Sequence, residues 1–185
     1  MSNLSYDDLV ESIYGCSLNP EGWDRTLSQI RDHLQASAIN LIGLEVATYN
    51  NPFVYTANIP ADRGKHYQQY WFERDPWVKG AARKGLGYGG ATLVGSQLVD
   101  RQELVKTEFY NDWLRDQDIK DVLSTNLWGQ EPNWGKDLDH PRLVLCFMRG
   151  HSGQAFEETD RLKLERLSRH LNRAFNIAMQ MGMLA

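Results

Sequence analysis

Cysteine is scarce in this chain: Cys16 and Cys146 are the only two in 185 residues, far apart and with no CxxC spacing. That argues against a disulfide framework or a CxxC metal or redox centre, and points to two buried, reduced thiols in a cytoplasmic chain. Positive charge is also short. Twenty Lys and Arg face 24 Asp and Glu, for a net charge of −4, and no basic stripe stands out. These residues therefore give no electrostatic footprint for nucleic acid. Long apolar runs are missing as well. The best, "AINLIGLEVA", is broken by Gly43 and Glu45, so no membrane span is expected. The opening "MSNLSYDDLV" lacks the apolar stretch of a signal peptide.

The signatures of catalysis are absent too. No GxSxG elbow, Walker loop or HExxH occurs, and the five His have no ligand spacing. "GLGYGG" (Gly85–Gly90) follows "AARK" rather than a strand, so it reads as a turn and not a phosphate loop. Neither cysteine has a His or Lys beside it to lower its pKa. His66, next to Tyr67, could serve a haem in principle but falls on a polar helix, where a solvent-exposed ring is expected. No enzyme, cofactor or metal site is indicated.

What the chain does have is aromatic residues with polar handles. "YQQYWFERDPWV" (Tyr67–Val78) and "FYNDWL" (Phe109–Leu114) together hold three Tyr, three Trp and two Phe, with Glu73, Asp75 and Asp112 among them. Tyr and Trp suit places where one end is dry and the other meets a polar partner. Ligand pockets have this makeup. Asp75 among such rings must be paired. It can cap a helix starting at Pro76, accept a hydrogen bond from a ligand, or do both with different oxygens. Asn111 and Asp112 read as the solvent side of a helix whose Phe109, Trp113 and Leu114 point inward.

Local signals order the rest. Ser5 with Asp8 resembles a capping box opening a helix that carries Leu9 and Ile13 and stops at Gly15. Asn19-Pro20 starts a second helix, with Trp23, Leu27, Ile30 and Leu34 at helical spacing. "SAINLIGLEVATY" and "FVYTANI" read as a hairpin turning at Asn50–Pro52. Helices follow over Pro60–Tyr70, from Pro76, and over Lys106–Arg115, with a short strand near Thr92–Val94. Strands Asp121–Trp128 and Arg142–Arg149 flank a turn-rich segment, and a last helix runs from about Glu157. Strands paired in hairpins, with helices around them, predict an α+β domain: a PAS/GAF-like antiparallel sheet flanked by helices. The division expected is a sensor-type body over 1–155 and a long C-terminal helix over 156–185.

In that helix Leu164, Leu167, Leu171, Ala174, Ala178, Met181 and Ala185 recur in alternating steps of three and four, the coiled-coil period. Its first half is expected to lie on the sheet and its second half to pair with a second copy, giving a homodimer. A chain ending inside such a helix also reads as one that continues. Glu157, Glu158 and Asp160 fall in its first turn, where carboxylates complement the helix dipole.

The succession "NPEGW" (Asn19–Trp23), "HYQQYWFERDPW" (His66–Trp77), "TEFYNDWLRDQDI" (Thr107–Ile119) and "FEETDRLKLERLSRHLNRAF" (Phe156–Phe175) resembles the N-terminal sensor region of bacterial LuxR-type helix-turn-helix transcriptional regulators. The resemblance implies a dimeric module that senses a small, partly apolar molecule. Its DNA contact would come through a helix-turn-helix domain outside these residues. Tyr67, Trp71, Asp75, Trp77 and Trp113 are the candidate ligand-binding residues. Asp116 and Asp118 replace the Pro and Gly of the "WLRPQG" form usual in that family, which implies a changed turn after Trp113. The competing expectation is a ligand-free dimerisation module of the same fold, with the aromatics as core.

Overall fold

The structure, a computed structural model, describes residues 4–44, 54–57, 61–86, 89–127 and 142–182. Its strands are β1 (Ala38–Leu44), β2 (Val54–Ala57), β3 (Thr92–Val94), β4 (Asp121–Leu127) and β5 (Arg142–Arg149). They form one antiparallel sheet in the order β2-β1-β5-β4-β3. The expected α+β class and the strand positions agree with this. The turns expected at 50–52 and 129–141 lie outside the described residues.

Period-two alternation divides the sheet into two chemically different faces. Ile39 and Leu41 of β1, Leu143, Leu145 and Phe147 of β5, and Leu123 and Leu127 of β4 point to one side. There they meet three helices: α1 (Tyr6–Leu18), α2 (Trp23–His33) and α7 (Glu158–Gln180). The opposite face carries a row of cross-strand neighbours, Asn40, Cys146, Ser124 and Leu93.

The helix ends follow from local chemistry. Ser5 Oγ accepts the Asp8 N–H at 3.2 Å while the Asp8 carboxylate accepts the Ser5 N–H at 3.0 Å, a full capping box. The helix passes through Gly15, contrary to expectation, and ends at Leu18, so Cys16 sits inside it. Gly15 lies within an unbroken run of helical bonding, so its lower helix propensity is tolerated there. A 3-10 turn over Pro20–Gly22 then leads into α2.

In α7, Leu164, Leu167, Leu171, Ala174, Phe175 and Ala178 are all fully buried within this one chain. The ring of Phe175 stacks on Trp23 at 4.1 Å, nearly parallel. The three-four stripe is covered by the chain's own core as far as Ala178, and Met181, half exposed, is the next position along it. Ala185 lies outside the described residues.

The start of α7 is fixed by a buried ion pair. Arg149, at the end of β5, meets Asp160 at 3.0 Å, and both are more than nine-tenths buried. The guanidinium also donates to the carbonyls of Leu34 (2.7 Å), Gln35 (3.3 Å) and Ala155 (3.2 Å), and lies 4.0 Å over the Phe156 ring. It therefore satisfies the carbonyls just past the end of α2 and holds β5, α2 and α7 together. Asp160 is thus more than a first-turn carboxylate. Removing Arg149 would strand a buried charge, a loss of about 3–5 kcal/mol. Arg149→Ala is expected to lose stability on that scale in denaturant unfolding, and Arg149→Met with Asp160→Leu to recover much of it.

Candidate functional site

The second face of the sheet is roofed by short pieces rather than long helices. These are α3 (Ala61–His66), α4 (Pro76–Arg83), α5 (Gly95–Leu98), α6 (Arg101–Leu104) and the two aromatic segments. The aromatic segments Tyr67–Trp71 and Phe109–Leu114 are both π-helical. With i→i+5 bonding, residues four and five apart share a face, and Phe109, Trp113 and Leu114 are buried together for that reason. Two π turns in one layer are unusual, since such turns are rare and favour functional sites.

Between roof and sheet lies a cavity of about 200 Å³ with largely apolar walls. Tyr67, Phe72, Trp77, Phe109 and Trp113 form its aromatic side, and Asn40, Ser124 and Cys146 its floor. Of the five candidate residues, Tyr67, Asp75, Trp77 and Trp113 line this space. Trp71 is buried but stands behind the wall, against Trp113 and Phe109 at 5.8 Å each and edge-on to Tyr70 at 4.7 Å. His66 is exposed, with its ring edge-on to Trp113.

Asp75 knits the roof. One carboxylate oxygen accepts the Trp77 N–H at 2.7 Å and the Val78 N–H at 3.4 Å, capping α4. The other accepts the Tyr67 hydroxyl at 2.7 Å. Burial raises its pKa to about 6, opposed by these three donors and by Lys79. Burial and the neighbouring Asp75 push the Tyr67 phenol well above its ordinary value, so Tyr67 is the donor. α4 can ride close on α5 because residue 80 is Gly: a Cβ there would lie 2.7 Å from the Leu98 carbonyl oxygen. Burial also pushes the Cys146 thiol up to about 12, so at neutral pH it is a small protonated group on the floor.

Several lining residues carried no local sequence signal. Asn40 Oδ1 is buried on the cavity side of β1 and has no hydrogen-bond partner among the described residues. Arg63 of α3 stands over the Trp113 ring, 5.5 Å from its centroid. Gln117 donates to the Trp113 carbonyl at 2.9 Å and also faces the cavity. In sequence, Asn40 and Ser124 look like solvent-facing positions of half-buried strands.

The turn after Trp113 is held in a specific way. Asp118 takes the left-handed conformation (φ 53°, ψ 37°) that Gly would adopt freely and Asp tolerates better than most residues. Its carboxylate accepts the His151 N–H at 3.0 Å and pairs with the His151 ring at 2.8 Å. The other ring nitrogen meets the Tyr110 hydroxyl at 3.0 Å, and Arg101 donates to that hydroxyl at 3.1 Å. This Arg-Tyr-His-Asp chain is at least half exposed at its acidic end and ties the roof to the turn before α7. Among the described residues, no cluster of His, Cys, Asp and Glu could hold a metal ion.

The same fold occurs in solved structures. The ligand-binding domain of VqsR from Pseudomonas aeruginosa matches with a TM-score of 0.65 at 13% identity, covering 95% of this chain and 96% of that one. SdiA from Escherichia coli matches at 0.61 and 14% identity, over 97% of this chain and 69% of SdiA. SdiA in complex with octanoyl-rac-glycerol matches at 0.60 and 15% identity, over 98% and 69%. Both proteins are LuxR-type regulators, and at these identities the likeness is one of fold. No protein-family model and no curated relative matches the chain.

Because the folded state holds the Asp75 proton to a higher pH than the unfolded chain does, this group lowers stability as pH rises from about 4 through about 6. The charge penalty reaches at most about 3 kcal/mol above that window. In Asp75→Asn the amide can still cap α4, while the penalty disappears. Expected from unfolding curves is a wild-type minus variant stability that falls between pH 4 and pH 7; a pH-independent difference would remove the buried charge from the explanation.

Proposed function

We propose that this chain is the signal-sensing domain of a LuxR-type transcriptional regulator, binding a small, partly apolar molecule between the sheet and the aromatic roof. The observation that carries the reading is the cavity itself. It is walled by rings and floored by a sheet face on which Asn40 Oδ1 has no partner among the described residues. A buried acceptor left alone costs free energy, and a ligand N–H or O–H placed there would recover it. The fold shared with the VqsR ligand-binding domain and with SdiA supports the same reading.

Tyr67, Asp75, Trp77 and Trp113 would contact the ligand, and Trp71 would hold Trp113 in place. Residues 156–185 would serve as the signalling helix of a cytoplasmic homodimer whose DNA-binding domain lies outside these residues. No described helix is long and apolar enough to cross a membrane. Coupling would require that ligand favour one dimer arrangement over another. The bond chain from Arg101 through Tyr110 and His151 to Asp118 supports one route from the roof to the turn before α7.

Octanoyl glycerol, found bound to SdiA in a solved structure, is the first probe. At about a hundredfold its Kd, a bound ligand should raise the wild-type Tm by roughly 5–10 °C. The rise should be largely lost in Trp113→Ala and kept in Phe156→Leu, which perturbs the other core. A panel of apolar probes with no effect, and native mass spectra with no retained small molecule, would leave the aromatic layer as packing alone.

A further inference from the structure

Among the described residues, the cavity wall carries one carboxylate and one guanidinium, and their bonding states differ. Both oxygens of Asp75 are engaged, by the Tyr67 hydroxyl and by two backbone N–H groups. Arg63 is the reverse case. It is half-buried and lines the cavity, with its guanidinium held over the Trp113 ring. Among the described residues, no carboxylate pairs with it and no acceptor meets its N–H donors. A guanidinium presents five donors in a rigid fork that matches a carboxylate, and its position over the Trp113 ring sets that fork at the cavity wall.

We propose that the cavity takes an anionic amphiphile, an aliphatic chain ending in a carboxylate. Its head is bound by Arg63 and its chain runs among Phe72, Trp77, Leu98 and Phe109. The inference rests on the reading of the cavity as a ligand site and names the chemistry of the ligand. An aromatic box containing a carboxylate is also the makeup of an amine site. That assignment is disfavoured here because Asp75 already accepts three hydrogen bonds, and a cation would meet Arg63. A neutral amphiphile fits the walls but leaves the fork without an anion. A charge-assisted, two-pronged contact is the stronger use of that side chain.

Two probes with the same chain and different heads separate these outcomes: octanoate and octanoyl glycerol. Each is titrated by calorimetry near neutral pH into wild type, Arg63→Gln and Arg63→Lys. Octanoate is expected to bind the wild type and to weaken about tenfold or more in Arg63→Gln, a change of ~1.4 kcal/mol or more. Arg63→Lys, which keeps the charge without the fork, should fall between. Octanoyl glycerol should bind all three within about twofold of one another, which also reports that the variants are folded. Added salt should weaken octanoate binding only. Equal octanoate affinity in wild type and Arg63→Gln overturns the proposal. So does wild-type binding of octanoyl glycerol without octanoate, which leaves the cavity reading intact. If neither probe binds the wild type, this proposal and the cavity reading fall together.

Discussion

The sheet must be covered on both faces, and its period-two alternation makes the two faces unlike. The aliphatic face, built around Leu41, Leu145 and Phe147, is filled by three helices with no side chain to spare. The other face carries Asn40, Cys146 and Ser124 in its central row, and among the described residues no long helix lies across it. It is closed instead by short helical pieces and two π turns rich in rings. Large rigid rings on short elements do not pack as closely as leucines on long helices, and a cavity remains. The second core is therefore a different kind of object from the first: one holds the fold, and the other encloses space.

Polar groups brace this arrangement at three points, and two of them join elements distant in sequence. Asp75 links the first π turn to α4 through Tyr67 and the backbone of Trp77 and Val78. Asp118 closes the second π segment onto His151, in the turn before α7. Asp121, buried at the start of β4, accepts the N–H groups of Val122 and Phe156, each at 2.9 Å, and Arg149 clamps the same region to α2. Burial raises the Asp121 pKa, which places it with Asp75 as a carboxylate kept for its bonds rather than its charge. The bracing therefore runs from the roof to the residues just before α7.

Much of this was legible where the signal is local. The Ser5–Asp8 box and the Asp75-Pro76 cap each need only neighbours within three residues. The strands announced themselves by composition. The stripe in α7 does not by itself tell a coiled-coil seam from a helix laid on its own core, because both share a three-four spacing. α5 and α6, four residues each, are too short to show a period. The π turns leave no mark that a 3.6-residue pattern would reveal, so Trp71 was placed in the cavity wall when it stands behind it. Asn40, Arg63 and Ser124 were missed for a deeper reason. A polar residue at every second strand position signals water, unless something distant in sequence covers it.

The central claim is that ligand enters the roofed face and leaves the helical core alone, and the tryptophans report on both. Trp77 and Trp113 line the cavity, whereas Trp23 stacks on Phe175 across the sheet. Indole N–H resonances in a 1H–15N NMR titration with octanoyl glycerol or octanoate, assigned by single Trp→Phe variants, read each position separately. Saturable shifts at Trp77 and Trp113 with Trp23 unmoved are expected. Saturable binding that moves Trp23 and leaves the other two in place would contradict the site described above.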